Sequence, residues 1–504
     1  MKGYATFFLI ALMSLGLVFL LVTRTHTPHD APAEVPEPVA MADAGDGGAE
    51  GGAVVAVADA ALEASAAKPI ERPLRIAALG WELVAAGAAL TAPDGGPTGP
   101  YLELAPETSL EAVKDRLARG GNDPVGADVA VLPLPAFVAA YESLRVLDPR
   151  AFVVVGFSRG REEIHAAAGA LLKAPPGADE VKLIALGPAT ASDATAKAAG
   201  SESATMLGLF ALDLLGVPAA RLRMVAPGAA DAKTAPFAAI VRGATDERKL
   251  AFSSSDASRL VPIVAIAPKK QLDENEAKLR AFALAWLDGL GRAGKDASNV
   301  ARRLANKEAL PLGAGVGGAP EAIALLDRLG QIEPATLAQQ GAFIGPGAKG
   351  TITLDVLTQR TWALARAGGL TTSTAPTPLP IDARVVTAIA PAPPAVPAHD
   401  ATGDGGPADG GAFTALPAGA TPLLVYRAVD AQSDAASVAA QIGFLSGVFE
   451  RAAFRVTAKG GDKAARAIAA QARDRFALPS TRLATAAGEP AGGAFASVEI
   501  VSLP

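Results

Sequence analysis

Gly156-Phe157-Ser158-Arg159-Gly160 is where reactive residue types and spacing coincide most closely with a recognisable chemistry. The segment follows the apolar run Phe152-Val153-Val154-Val155, and the residues after it predict a helix from about Glu162 to Leu172. A Gly-x-Ser-x-Gly turn between strand and helix is the nucleophile elbow, which exposes a serine hydroxyl to a carbonyl carbon. An elbow needs a histidine base from later in the chain. His165 lies only seven residues on, on the elbow's own predicted helix, and His399 lies in a Pro- and Gly-rich stretch. Neither is placed to take the proton from Ser158, so a serine hydrolase is the weaker reading. Ser158 also suits the N-cap of the predicted helix, where free backbone N–H groups and the dipole favour an anion. Arg159 would add a planar guanidinium suited to a carboxylate, sulfonate or phosphonate. A plain helix cap beside a solvent-exposed arginine explains the same residues.

Two further hydroxyl-rich clusters follow predicted strands. Ser201-Glu202-Ser203-Ala204-Thr205 opens the apolar helix Met206–Leu215, and Ser253-Ser254-Ser255-Asp256 ends the strand that starts at Leu250. Trp81 and Glu82 follow the first strand. Polar caps at the carboxyl ends of several strands are what a ligand cleft in an α/β protein requires. The sequence therefore predicts that Trp81, Glu82, Ser158, Arg159, Ser201, Ser203, Ser254 and Asp256 converge on one ligand. Two glycine-rich stretches are decoys. Gly289-Leu290-Gly291-Arg292-Ala293-Gly294 follows a helix and opens no βαβ unit, and Gly345–Thr351 has phosphate-loop letters in the wrong order.

The elements that must hold these residues are short apolar runs alternating with amphipathic stretches between Pro73 and about Ala390. Predicted strands are Leu74–Leu79, Val129–Leu132, Phe152–Phe157, Lys182–Leu186, Leu250–Ser253 and Val261–Ile266. Predicted helices are Leu110–Arg119, Ala136–Leu144, Glu162–Leu172, Ala204–Leu215, Glu274–Leu290 and Leu354–Ala367. That alternation indicates an α/β sheet, largely parallel. The tail, Thr421–Pro504, reads as a smaller α+β unit: strand Leu423–Arg427, helix Ala436–Ala452, strand Phe454–Ala458, helix Lys463–Phe476, strand Ser497–Val501. Pro28–Lys68 and Pro391–Pro417 are rich in Ala, Pro, Gly and acid and read as flexible spacers, the second leaving the tail free to move.

Composition excludes several function classes. A net charge of −6 and a pI near 5.5 argue against nucleic acid as partner. No cysteine occurs, which removes disulfides, thiolate metal sites, a cysteine nucleophile and a lipidated N-terminus. The four histidines are His26, His29, His165 and His399, three of them in predicted spacers, so neither a metal site nor a cofactor is expected. Ala5–Val22 carries no charge, and as a helix it would span roughly 27 Å, close to a bilayer's hydrocarbon thickness. A cleaved secretory signal is the alternative, but no small-x-small cleavage site follows at Thr23-Arg24-Thr25-His26. Lys2 precedes the segment, and no Lys or Arg occurs from Thr25 to Ala67. A single-pass anchor in a bacterial inner membrane, with the bulk of the chain in the periplasm, is the expectation.

The order of motifs resembles a known family. Leu74-Arg75-Ile76-Ala77-Ala78-Leu79-Gly80-Trp81, then Gly126-Ala127-Asp128-Val129-Ala130-Val131-Leu132-Pro133, then Val153–Gly160 look like the solute-binding proteins of nitrate, taurine, sulfonate and thiamine-precursor ABC transporters. Ser201–Leu215 followed by Gly216-Val217 looks like that family's second-lobe cap and helix exit. The resemblance spans roughly Pro73 to Leu370 and departs at Arg161-Glu162-Glu163, where the family has a Gly-Asp pair. Gly341-Ala342-Phe343-Ile344-Gly345 is similar to the closing segment of envelope proteins that join such a domain to an OmpA-like module. Arg466-Ala467-Ile468-Ala469 and Leu478-Pro479-Ser480-Thr481-Arg482-Leu483 resemble the last helix and turn of OmpA-like domains. The usual Thr-Asp loop and Asn-x-x-Leu-Ser helix start are missing, which leaves Asp462 and Arg466 as remnants of a peptidoglycan clasp.

The resemblance implies a two-lobed periplasmic-binding-protein-like α/β fold, preceded by one transmembrane helix and followed by a degenerate OmpA-like module. The boundaries that go with it are 1–24 for the anchor, 25–72 for the first linker, 73–390 for the binding domain, 391–420 for the second linker and 421–504 for the tail. It implies capture of a small anionic or zwitterionic solute, an ABC permease as partner, weak or lost peptidoglycan binding, and no catalysis. A structural or interaction protein of the envelope with a disused pocket is the alternative.

Overall fold

A computed structural model describes residues 72–503, apart from 92–99, 174–179, 187–200, 226–228, 231, 243–245, 346–351, 391–415, 417–419 and 430–432. The apolar segment Ala5–Val22 and the first spacer lie outside the described residues. No helix among the described residues is long and apolar enough to cross a membrane.

Three sheets organise the described residues. The first has six strands in the order β11-β4-β10-β3-β1-β2, built from β1 (Leu74–Leu79), β2 (Leu102–Glu107), β3 (Val129–Pro133), β4 (Pro149–Ser158), β10 (Pro262–Pro268) and β11 (Ile332–Pro334). The second has five in the order β7-β6-β8-β5-β9, from β5 (Glu162–Ala166), β6 (Val181–Leu186), β7 (Leu222–Val225), β8 (Phe237–Val241) and β9 (Lys249–Ser253). The third, in the tail, has four in the order β12-β15-β13-β14, from β12 (Leu424–Ala428), β13 (Ala452–Ala458), β14 (Leu483–Thr485) and β15 (Ala496–Ser502). The chain leaves the first sheet after Ser158, enters the second at Glu162, and returns between Ser253 and Pro262. Two crossings therefore join two lobes.

The sheets are mixed, not largely parallel. β1 runs parallel to β2 and β3, but β10 is antiparallel to both β3 and β4, and β5 is antiparallel to β8 and β9. The return crossing delivers β10 from the far lobe, so it enters the first sheet head-on to its neighbours. Strands β1 and β3 are almost wholly apolar because helices cover the sheet, so no polar face is left to alternate with. Helix starts follow local chemistry. Ser109 caps Leu110–Arg119 by accepting from Ala112 N at 3.2 Å, and Thr353 caps Leu354–Ala367 by accepting from Val356 N.

Two predicted helices are corrected. Glu274–Leu290 is two helices, Lys269–Glu274 and Glu276–Lys295, broken at Asn275. Glu162–Leu172 is not a helix: its first five residues are strand β5, with Glu162, Ile164 and Ala166 buried and Glu163 and His165 on the other face. His165 Nε2 sits 2.8 Å from Glu163 Oε2, a contact that a period of two allows and a helix would not.

Guanidinium groups tie loops where disulfides are absent. Arg116 donates to Val125 O and Ala314 O at 3.0 Å each, Arg303 to Ala88 O and Thr91 O at 2.9 Å each, and Arg248 to Ala235 O at 3.0 Å. Each ties its own segment to carbonyls that lie apart from it in the chain.

The tail does not stand apart. Its helix Ala435–Val448 and the residue after it reach the second lobe, with Phe444 6.4 Å and Phe449 6.3 Å from Phe210, ring centre to ring centre. Phe449 also meets Phe252 of β9 at 5.9 Å, and Arg427 donates to Leu172 O at 3.0 Å. The expectation of an independent, mobile tail is therefore corrected. Among the described residues, docking rests on phenylalanines in the folded tail.

Candidate functional site

Of the residues that the sequence singled out, Trp81 and Glu82 follow the carboxyl end of β1, and Ser158 and Arg159 mark that of β4, where the chain crosses between lobes. After β1, Gly80 turns the chain at φ 119° into a short 3-10 helix, Trp81–Val84. A Cβ on Gly80 would collide with the carboxylate of Glu82, so glycine is what admits that carboxylate to the junction. Glu82 is 3% exposed and faces Arg161 Nη1 at 3.2 Å and Arg328 Nη1 at 3.9 Å. Among the described residues its Oε2 and Arg161 Nη1 have no aligned hydrogen bond, so charge holds the pair rather than geometry.

Ser158 ends β4 and does not cap a helix; strand β5 follows it, so no helix dipole acts there. Its Oγ donates to the carboxylate of Glu162. Ser254, on the return crossing, accepts from Gly160 N at 2.9 Å and Glu162 N at 3.3 Å, and its own N donates to Glu162 O at 2.9 Å. Ser158 N donates to Val261 O at 2.9 Å. The two crossings thus lie side by side, stitched by a serine from each. Glu162 is fully buried, and burial pushes its carboxyl above the ordinary range, against the opposing pull of Arg161 and the hydrogen bonds from Ser158 and Ser254.

The elbow reading fails on this geometry. Ser158 is 1% exposed, its hydroxyl is committed to Glu162, and His165 points to Glu163 and Arg248 O. Gly156 serves the sheet instead: a Cβ there would sit 2.8 Å from Glu333 O of β11. Its presence in a Gly-x-Ser-x-Gly string is a packing requirement.

The remaining candidates separate into groups. Arg159 is exposed, and its backbone N donates to Gln331 O at 2.8 Å. Trp81 is 1% exposed and belongs to the core, with Lys307 Nζ 5.8 Å from its ring centre. Asp256 caps its own turn, accepting from Ser253 N at 2.9 Å. Ser201 and Ser203 lie in the first turn of the helix Ser201–Leu214. Both are buried, and no hydrogen bond among the described residues joins them to Ser158, Ser254 or Glu82; Ser203 Oγ has no partner there. In the tail, Arg466 Nε and Asp462 Oδ2 pair at 2.7 Å one helical turn apart, and Asp462 also accepts from Thr485 Oγ1 at 3.1 Å.

Sequence reasoning missed Arg161, Glu162, Arg328 and Arg259. The signal available was Arg161-Glu162-Glu163 directly after an apolar strand, in a stretch whose next residues, Ile164 and Ala166, are apolar at a period of two. Among the described residues no group of His, Asp and Glu is placed to hold a metal ion. A groove of about 780 Å³ lies at the opposite, amino-terminal edge of the first sheet, lined by Arg72, Asp128, Gln271 and Lys278 among others. There Asp128 is fully engaged, by Arg72 at 2.7 and 2.8 Å, by Arg75 N at 3.0 Å and by Gln271.

No family model and no curated protein matches this chain. Solved structures do show similarity. A zinc-bound ligand-binding component of an ABC-type import system from Staphylococcus aureus aligns over 63% of this chain and 98% of its own, at 12% identity and a TM-score of 0.39. The periplasmic aliphatic sulphonate binding protein SsuA from Escherichia coli aligns over 64% and 92%, at 14% identity and 0.39. The periplasmic nitrate-binding protein NrtA from Synechocystis aligns over 46% and 66%, at 12% and 0.31. All three are described as ligand-binding proteins, but at such identities and scores neither ligand nor activity passes from them to this chain. The two-lobed, twice-crossed arrangement rests on the strand order itself.

Proposed function

We propose that this chain is a two-lobed extracytoplasmic solute-binding protein, anchored in a bacterial inner membrane by Ala5–Val22, which takes a small anionic or zwitterionic solute between its lobes for an ABC permease. The observation that carries the reading is the pair of adjacent crossings at the carboxyl ends of β1 and β4. Two short, adjacent segments connect the lobes at one place, and the mouth beside them is where α/β sheets present ligands. Exposed Arg159 beside buried Arg161 and half-buried Arg328 gives that mouth cationic character suited to an anion. Thermal unfolding across a panel of small sulfonates, carboxylates, nitrate and amino acids tests it, because a ligand of the native state raises the melting temperature. Stabilisation by at least one anion that is lost in Arg159→Ala supports the reading; no stabilisation by any compound refutes it.

A second reading, an envelope interaction protein with a disused pocket, is favoured by one observation. Trp81, Glu82, Ser158 and Glu162 are all sealed from solvent. The tail belongs to either reading as a degenerate OmpA-like unit, in which the mutual Asp462–Arg466 pair leaves peptidoglycan binding weak or absent. Pull-down of the full chain on purified peptidoglycan, with Asp462→Ala and Arg466→Ala as controls, tests that assignment; retention lost in either variant would mean that the clasp still works.

A further inference from the structure

Two arginines and four phenylalanines join the tail to the return crossing, to the second lobe and to the helix Leu354–Ala367. Arg259 lies on the return crossing and is 5% exposed. Its Nη2 meets Glu333 of β11 at 2.6 Å, its Nε meets Glu450 of the tail at 2.9 Å, and its backbone N donates to Val448 O of the tail at 3.3 Å. Its guanidinium carbon also lies 4.4 Å from the ring centre of Phe157, the residue before Ser158. One side chain therefore ties the first sheet, the crossing and the tail together.

Arg360 does the same from the helix Leu354–Ala367, which packs on Leu134–Leu144 of the first lobe and Ser201–Leu214 of the second. Its Nη2 meets Asp213 of the second lobe at 2.6 Å and its Nη1 reaches Gln441 of the tail at 3.5 Å. Its guanidinium carbon sits 5.6 Å from the ring of Phe210 and 4.8 Å from that of Phe444. Between these two arginines, Phe449 fills the space against Phe210 and Phe252 and is wholly buried.

We propose that the C-terminal domain is a clamp on the interlobe hinge, so that the angle between the lobes and the docking of the tail are one coupled equilibrium. Turning the second lobe relative to the first must either part Phe449 from Phe210 and Phe252, or carry the tail along and part Glu450 and Val448 from Arg259. The first route exposes apolar surface and the second takes from buried Arg259 one of its two carboxylates, so the docked tail holds one lobe angle. The coupling is reciprocal: whatever pulls the tail away frees the hinge, and whatever turns the hinge loosens the tail. The clamp needs no ligand, and it stands or falls apart from the solute-binding reading.

The chain has no cysteine, so spin labels can be placed on chosen pairs without background. Glu111→Cys with Lys249→Cys reports the distance between lobes, and Lys249→Cys with Asp474→Cys reports the distance from the second lobe to the tail. The perturbations are Glu450→Arg, a charge reversal at a half-exposed site that leaves every core side chain in place, and Phe449→Ala combined with Glu450→Gln. In either variant both distance distributions should widen together, by about twofold or more. If the tail distribution widens while the lobe distribution keeps its wild-type width, the clamp is refuted. If the tail distribution is unchanged in both variants, these contacts do not hold it and the proposal falls equally. Measured without added solute, neither result depends on whether a ligand exists.

Discussion

Replacing Glu162 by glutamine should remove a pH-dependent load from the native state. The carboxyl is fully buried, and burial raises its pKa above the ordinary range despite Arg161, Ser158 and Ser254. A raised native pKa means that the native state holds a proton the unfolded chain has released. Stability from this group is complete below the unfolded carboxylate pKa and is lost as pH rises through the native one. Within that window each pH unit costs about 1.4 kcal/mol, and above it the loss is constant. Glutamine fills nearly the same volume, accepts from Ser158 with its amide oxygen, and does not titrate. Urea unfolding of both proteins at half-unit steps from pH 4 to pH 8 would give the difference directly. The variant should gain on the wild type as pH rises from the ordinary carboxylate range, with a slope of at most about 1.4 kcal/mol per unit. Glu162→Ala should instead be destabilised by about 1–3 kcal/mol at low pH, because it strands the hydroxyl of Ser158. A difference between wild type and Glu162→Gln that stays flat across the range, or that moves in the wild type's favour as pH rises, would refute the raised native pKa.

Gly80→Ala should cost about 1–3 kcal/mol, since φ 119° disfavours a side chain and the new methyl would meet Glu82, and the urea midpoint should fall accordingly. Asp128→Ala should destabilise by about 3–5 kcal/mol, because it leaves Arg72, Gln271 and the N–H of Arg75 without their shared acceptor; denaturation at neutral pH measures it. A fluorophosphonate probe should leave Ser158 unlabelled in native protein, as shown by peptide mass, because the hydroxyl is sealed and bound to Glu162; stoichiometric labelling would overturn this.

Strands made of continuous apolar residues were readable from the chain: β1 and the helices Leu110–Arg119 and Leu354–Ala367 have the predicted boundaries, because their periodicity and their caps agree. Strand β5 was not. Five residues carry too little of a period of two, and the alanines and leucines that follow suggested a helix. With that element misread, Ser158 became a helix cap, and the carboxylate it binds was passed over. Strand β8, Phe-Ala-Ala-Ile-Val, is too short and too rich in alanine to announce itself. The docking of the tail had a signal that went unused. In the helix Ser201–Leu214 every residue but Asp213 is buried, and a helix apolar on all sides needs a cover on each. The sheet, the helix Leu134–Leu144 and Leu354–Ala367 supply part of that cover, and Phe444 and Phe449 supply the rest. The convergence of Glu82 with Arg161 could not be read, because residues 79 apart meet only through the order of strands in the sheet.

The late position of Phe449 sets a timetable for the newborn chain. Phe210 and Phe252 leave the ribosome well before the segment that covers them, and roughly 200 residues separate Phe252 from Phe449, so at 5–20 residues per second the wait is about 10–40 s. Through that interval the second lobe carries bare aromatic rings, the kind of surface that chaperones grip and that neighbouring chains stick to. Any truncation before Ala435, by a premature stop or by proteolysis, makes the interval permanent. Loss of the last seventy residues should therefore appear first as insolubility of the whole polypeptide.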